Sequence, residues 1–294
     1  MHVAVLGPTG FGGSHVCAEL LAKGHQVTGI SRSPEKLGTH DRYKPVPVDL
    51  QEASIAQLVE AFKSIEVIVN AYNPPAGPNL YSTTTESFLE TVRKIILAVK
   101  ASTPSPYLVA IGGTGSLGLG PAHPYQTVAD SRELWVAYRR AVADSEAATA
   151  HMEARIGAGN PLAFRDAELP RRPHRPCYEG QPRTFRWSLS SRPSARYRPG
   201  PPRTGAYEVV RDLDPPWPRQ PSATRDATSD NAYDGRLLGI SAADLALAIA
   251  DEVETQGKVG WHWTAVADLA EEDAPMMPAF ATIGFGELCQ GQLG

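Results

Sequence analysis

The heptapeptide Gly7-Pro8-Thr9-Gly10-Phe11-Gly12-Gly13 constrains this chain more than any other stretch. It follows Val3 to Leu6, a short β-rich run. It opens a segment, Gly13 to Lys23, in which apolar side chains recur at helical spacing, Val16 with Leu20 and Cys17 with Leu21. Glycines at 7, 10 and 13 make a G-x-x-G-x-x-G spacing, and each has a mechanical task. Gly7 permits a tight turn, Gly10 lets backbone approach a pyrophosphate, and Gly13 lets the helix pack close to a sheet. A helix starting here presents unpaired N–H groups and its positive dipole end to an anion. A glycine triplet alone is a weak signal, but a strand before it and a helix after it supply the confirming context. The turn therefore predicts a dinucleotide site, with Gly7, Thr9, Gly10, Phe11, Gly12 and Gly13 as contacts.

The first 150 residues continue the alternation. Gln26 to Ile30, Tyr43 to Val48, Glu66 to Val69 and Tyr107 to Ile111 read as strands. Pro45 and Pro47 push the Tyr43 strand toward a sheet edge. Ile55, Leu58, Val59 and Phe62 mark one helix face, and Phe88, Val92, Ile95, Ile96 and Val99 mark another. Leu134, Ala137, Tyr138 and Ala141 open a long helix expected to reach about Glu153. Gly24 stands where a helix C-cap glycine belongs. Repeated strand–helix units argue for an α/β fold with a doubly wound parallel sheet. The 294 residues, 42% of them hydrophobic, suffice for such a core and a small appended lobe.

The middle differs. From about Ile156 to Asp230 the chain is rich in proline and arginine, and two thirds of the arginines fall between residues 151 and 235. Proline at this density breaks helices and central strands, so long loops are expected, with no regular element between about Ile156 and Arg183. A basic substrate cap, a disordered surface insertion and a mistranslated stretch are all compatible with this composition. Order returns with Ser241 as a helix cap, Asp244 at the capping-box position, and Leu245, Ala248, Ile249 and Val253 as the apolar face. Gly260 to Ala267 reads as a late strand. The expected organisation is a nucleotide-binding domain over residues 1–155, an irregular segment over 156–235, and a C-terminal helix and strand over 236–294 completing a substrate lobe.

The second strand ends Gly29-Ile30-Ser31-Arg32-Ser33. A site for NAD places Asp or Glu there to accept from the ribose 2′-OH, and no acid is present. Arg32, flanked by Ser31 and Ser33, suits a 2′-phosphate, because guanidinium pairs strongly with phosphate. NADP is therefore the expected cofactor, with NAD possible. Asp49-Leu50 closes the third strand against the adenine, Asn70-Ala71-Tyr72 closes the fourth beside the cofactor channel, and Gly112 ends the fifth.

Taken together, Gly7 to Gly13, Ser31-Arg32-Ser33, Asp49-Leu50, Asn70-Ala71 and Gly112-Gly113-Thr114-Gly115-Ser116 resemble the atypical short-chain dehydrogenase/reductases, in the NmrA-like branch. Ile240-Ser241-Ala242-Ala243-Asp244-Leu245-Ala246 is similar to the S-x-x-D-L-A helix of that branch. The resemblance covers about residues 1–155 and 236–268. It implies a Rossmann domain with a small C-terminal substrate lobe. Members include NADP-dependent reductases, isomerases and epimerases, and also regulators that bind NADP without turning it over.

The resemblance also implies a Tyr with Lys four residues later, the lysine lowering the tyrosine pKa for acid–base work. No tyrosine here has lysine at that spacing, and no lysine lies between residues 101 and 257. Tyr138 falls on the expected helix, followed by Arg139 and Arg140, either as proton donor or as a core tyrosine on a helix face. Thr114 and Ser116 stand where the branch holds a substrate carbonyl, and Ser116 serves equally as a turn residue. The leading expectation is an oxidoreductase acting on a small carbonyl metabolite. The alternatives are a redox sensor, or an isomerase or epimerase.

A net charge of −4 gives no basic field for nucleic acid or an anionic membrane surface. Cys17, Cys177 and Cys289 form no CxxC pair, so no metal site or disulfide framework is expected, and a reducing, cytoplasmic setting fits. The N-terminus lacks a basic n-region, and no apolar stretch approaches the roughly 20 residues needed to cross a bilayer.

Overall fold

The structure, a computed structural model, describes residues 1–72, 83–113, 117–118, 185–191, 197–198, 203–212 and 236–270. The strands are β1 (His2–Leu6), β2 (Gln26–Ser31), β3 (Tyr43–Pro47), β4 (Val67–Asn70), β5 (Tyr107–Gly112), β6 (Trp187–Ser191), β7 (Tyr197–Arg198), β8 (Glu208–Arg211), β9 (Arg236–Ser241) and β10 (His262–Ala270). The helices are α1 (Phe11–Ala22), α2 (Ile55–Ala61), α3 (Thr83–Ala101) and α4 (Ala242–Thr255), with one 3-10 turn at Pro34–Leu37.

Among the described residues the strands form one sheet in the order β3-β2-β1-β4-β5-β6-β10-β9-β7, with β8 also paired to β10. From β3 through β6 and into β10 every pairing is parallel, and β8 and β9 run antiparallel to β10. The order reverses between β1 and β4, which places a crevice at the C-terminal ends of those strands. This is a Rossmann-like α/β fold.

Central parallel strands are covered on both faces, and β1 shows it, with Val3, Ala4, Val5 and Leu6 all fully buried. Val3 and Val5 join Val16, Leu20, Leu245 and Ile249 on the α1/α4 side, whereas Ala4 and Leu6 join Leu58, Ile95 and Val99 on the α2/α3 side. Two apolar layers thus come from alternate residues of one strand. Helix α1 ends as expected. Gly24 sits at φ +88°, its N–H bonds the Leu21 carbonyl, and the His25 N–H bonds the Leu20 carbonyl. That is the paired bonding of a glycine C-cap. Helix α2 starts with Ser54 and Gln57 in a reciprocal capping box.

Strand β3 is the sheet edge, as its prolines require. The Arg42 carbonyl accepts from Val27 N–H, and Val48 N–H donates to the Ser31 carbonyl, so even-numbered residues face β2. Pro45 and Pro47 fall in the odd-numbered row, where a missing donor costs no ladder bond. A Cβ on Gly29 would stand 2.1 Å from the Tyr43 hydroxyl, so glycine is required where the Tyr43 ring crosses β2.

The structure corrects the expectation of loops throughout Ile156 to Asp230. Trp187–Ser191 is an interior strand, hydrogen-bonded to β5 on one side and β10 on the other, and β7 and β8 also fall in this stretch. Its alternating serines are buried, Ser188 and Ser190 at 0% exposure, a composition that carries no apolar signal. Asp244 also departs from its expected role. Its carboxylate accepts from the Thr204 hydroxyl at 2.7 Å and the Gly205 N–H at 2.9 Å, while Ser241 caps α4 through the Asp244 N–H. The expected helix from Leu134 and the stretch from Ile156 to Arg183 lie outside the described residues.

Candidate dinucleotide site

The five parallel strands β1 to β5 finish on one edge, so the residues that follow them converge. Gly7 turns the chain after β1 at φ +77°, and its N–H bonds the Ile30 carbonyl at 3.0 Å. A Cβ there would lie 3.0 Å from the Ala71 carbonyl oxygen and 3.2 Å from the Tyr72 Cα. The turn after β1 therefore rests directly on the chain after β4, at the crevice. A Cβ on Gly13 would stand 2.1 Å from the Gly7 carbonyl oxygen, so only glycine lets α1 start this close. Gly10 is the N-cap of α1 and offers no side-chain acceptor to the first-turn amides, a cradle that suits a phosphate.

Around this turn lie most of the residues expected from the sequence. Thr9, Phe11 and Gly12 are half-buried in the turn itself, and Gly112 is half-buried at the end of β5. Ser31 ends β2, and its hydroxyl is buried with no hydrogen-bond partner among the described residues. Arg32 next to it is exposed. Asp49 accepts from the Gln51 N–H at 2.9 Å, and Leu50 is buried. Asn70 is buried and accepts from the Tyr72 N–H at 3.2 Å. Burial raises the Tyr72 hydroxyl pKa, with Asp49 acting the same way and Thr91, Arg32 and Gln51 opposing. Those four residues thus mark one neighbourhood, reaching from β2 through β3 to α3. A glycine-only cradle, an orphaned hydroxyl and an exposed guanidinium fit a dinucleotide laid across the strand ends.

Several contributors were not legible in the sequence. Phe88 on α3 stacks on Tyr72, ring centroids 6.1 Å apart. Lys94 on α3 donates to the Gln51 carbonyl at 2.6 Å and the Ala53 carbonyl at 2.9 Å. Phe88 was read only as part of an apolar face, and Lys94 has no signal beyond its place between Val92 and Ile95. His15, in the second turn of α1, is 3% exposed, neither ring nitrogen has a partner among the described residues, and burial lowers its pKa to about 4. Thr114, Ser116 and Tyr138 lie outside the described residues. Among the described residues no group of three His, Cys, Asp or Glu could hold a metal ion. No helix among them is long and apolar enough to cross a membrane.

Fold and crevice together define a nucleotide-binding protein of the Rossmann class. The chain belongs to the NAD(P)H-binding family, whose pattern matches residues 7–154. It is 24% identical to the protein YwnB of Bacillus subtilis (strain 168) over 269 residues, covering 91% of this chain and 99% of that one. A Streptococcus pneumoniae TIGR4 structure described as a "putative NADH-flavin reductase" superposes with TM-score 0.57 at 17% identity, over 90% of this chain and 99% of that chain. The oxidoreductase ylbE of Lactococcus lactis gives TM-score 0.54 at 13% identity, over 93% of this chain and 94% of that chain. At these identities the solved structures establish the shared fold.

Proposed function

We propose that the chain is an NADP-dependent oxidoreductase of the atypical short-chain dehydrogenase/reductase type, in the NmrA-like branch, acting on a small carbonyl metabolite in the cytoplasm. The observation that carries the cofactor preference is the end of β2, where no acid stands and the exposed Arg32 adjoins the orphaned Ser31 hydroxyl. A guanidinium there favours a 2′-phosphate, whereas a 2′-OH finds no carboxylate acceptor at that position. When bound, the reduced nicotinamide supplies a hydride. In this reading Ser116 and Thr114 hold the carbonyl oxygen, and Tyr138 delivers the proton that completes the alcohol. The neighbour described as a flavin reductase adds flavin to the acceptors worth assaying.

A second reading, an NADP-binding regulator without turnover, is favoured by the missing lysine four residues after any tyrosine. Two measurements separate these readings. Calorimetric titration should show NADPH binding at least tenfold more tightly than NADH, with Arg32→Ala removing most of that difference. Equal affinities, or an unaffected variant, overturn the NADP preference. Oxidation of NADPH followed at its absorbance, with aldehydes, ketones, quinones and flavin as acceptors, tests turnover. Tyr138→Phe should slow it about 100-fold or more, the usual scale of a general acid. Tight NADPH binding with no acceptor consumed replaces the enzyme by the regulator.

A further inference from the structure

We propose that Lys94 is a positioning residue for the adenosine half of the dinucleotide, and that α3 organises that wall of the crevice. This rests on the dinucleotide reading of the site. Two loops that follow different strands meet one stripe of α3. Phe88 stacks on Tyr72, which follows β4, and Thr91 lies beside the Tyr72 hydroxyl. Six residues on from Phe88, Lys94 reaches the loop that follows β3 and caps the carbonyls of Gln51 and Ala53.

The β3 loop is also held at its start by the Val48 N–H, which donates to the Ser31 carbonyl at 2.8 Å, and by the burial of Leu50 and Ala53. The Asp49 carboxylate accepts from Gln51 N–H, and the Asp49 carbonyl accepts from Ala53 N–H at 2.8 Å. These two bonds fix the curl of the loop. Lys94 ties that curl to α3, because its ammonium carries three donors and two of them end on loop carbonyls. The neighbouring Arg93 behaves differently, pairing with Glu90 on the exposed face of the same helix. An ion–carbonyl bond made by a half-buried lysine is stronger than a neutral one. With the loop fixed, Asp49 and Leu50 are set in place before an adenine arrives, which lowers the ordering cost of binding.

The test is calorimetric titration of the full chain with NADPH, NADH and ADP, comparing wild type with Lys94→Met and Lys94→Arg. The methionine keeps the stem and removes all donors, whereas the arginine restores donors for the two carbonyls. In K94M the Kd for ADP and for the preferred dinucleotide should rise roughly tenfold, equivalent to about 1.4 kcal/mol. K94R should recover to within about threefold. At saturation the fluorescence of the bound reduced nicotinamide should match wild type, because the far half of the site is untouched. Unchanged ADP affinity in K94M overturns the proposal, and so does a changed nicotinamide signal or a K94R variant no better than K94M. If K94M is recovered unfolded, Lys94→Gln carries the same comparison with the same expected outcome. A wild-type chain that binds no dinucleotide and no ADP overturns the cofactor reading and this proposal with it. Wild-type binding with an indifferent K94M overturns this proposal alone.

Discussion

Where the parallel strands begin, charged side chains of α1 and α4 are paired with one another, and where they finish stand an exposed guanidinium and a buried hydroxyl with no partner among the described residues. At the starting edge Glu252, fully buried on α4, accepts from the Tyr107 hydroxyl at 2.5 Å, from the Lys258 N–H at 2.9 Å and from the Lys258 ammonium at 3.2 Å. Lys23 at the end of α1 bridges Asp251 at 2.9 Å and Glu254 at 2.8 Å on α4, and His25 meets Glu254 at 3.1 Å. At the finishing edge the Ser31 hydroxyl has no partner among the described residues, Arg32 is exposed, and the first turn of α1 has no side-chain cap. Buried polar groups ordinarily find partners, and the Ser31 hydroxyl beside the exposed Arg32 suits an anionic ligand. The starting edge is tied by ion pairs between α1 and α4, and the finishing edge is where we propose that the dinucleotide binds.

That contrast is open to experiment. The largest expected effect is Glu252→Ala, which strands a buried hydroxyl and a lysine. It should cost about 3–5 kcal/mol in urea unfolding while leaving cofactor Kd unchanged in the folded protein. A loss of cofactor affinity as large as the loss of stability would erase the distinction between the two edges. Next is Gly13→Ala, where the added carbon meets backbone that cannot yield cheaply. Overpacking should cost about 1–3 kcal/mol, and NADPH affinity should fall more than the stability change accounts for. An alanine variant that binds NADPH normally would remove the mechanical role of this glycine.

His15 gives the third, smaller effect. Burial lowers its pKa from 6.5 to about 4, so the folded state holds it neutral. Between those values the unfolded chain binds more protons, and stability present above pH 6.5 is lost as pH falls toward 4. The slope attributable to this residue is about 1.4 kcal/mol per pH unit at most. Unfolding measured across that window should be visibly flatter for His15→Gln, and parallel curves for the two proteins would reject the assignment. The smallest is Ser54→Ala, which opens the capping box of α2 and should cost about 1 kcal/mol without touching NADPH binding. A shift in NADPH affinity there would mean that α2 communicates with the crevice.

The first half of the fold was legible because its signals are local. Glycine spacing set the β1–α1 turn, Gly24 ended the helix, and two prolines sent β3 to the edge. The gathering of the candidate site residues was legible for a related reason, since parallel strands deliver their ends to one place whatever the tertiary detail. Strand β6 was not legible, because Trp187 to Ser191 offers alternating serines whose burial is decided by β5 and β10 on either side. Gly29 gave no hint that it lies beneath Tyr43, a contact fixed by register between neighbouring strands. Lys94 read as one more cation on an amphipathic helix, since its partners are backbone carbonyls more than 40 residues away, which carry no sequence signature.

The prolines of β3 have a consequence for assembly. The outward row of that strand consists of Tyr43, Pro45 and Pro47, and the Tyr43 N–H is already bonded to the His40 carbonyl at 2.9 Å. No backbone donor of the strand remains along this flank to recruit another β-ribbon. A second molecule finds no donor row here to prolong the sheet, so the prolines themselves guard this flank against edge-to-edge aggregation. Self-association by extending the sheet must therefore use a different edge.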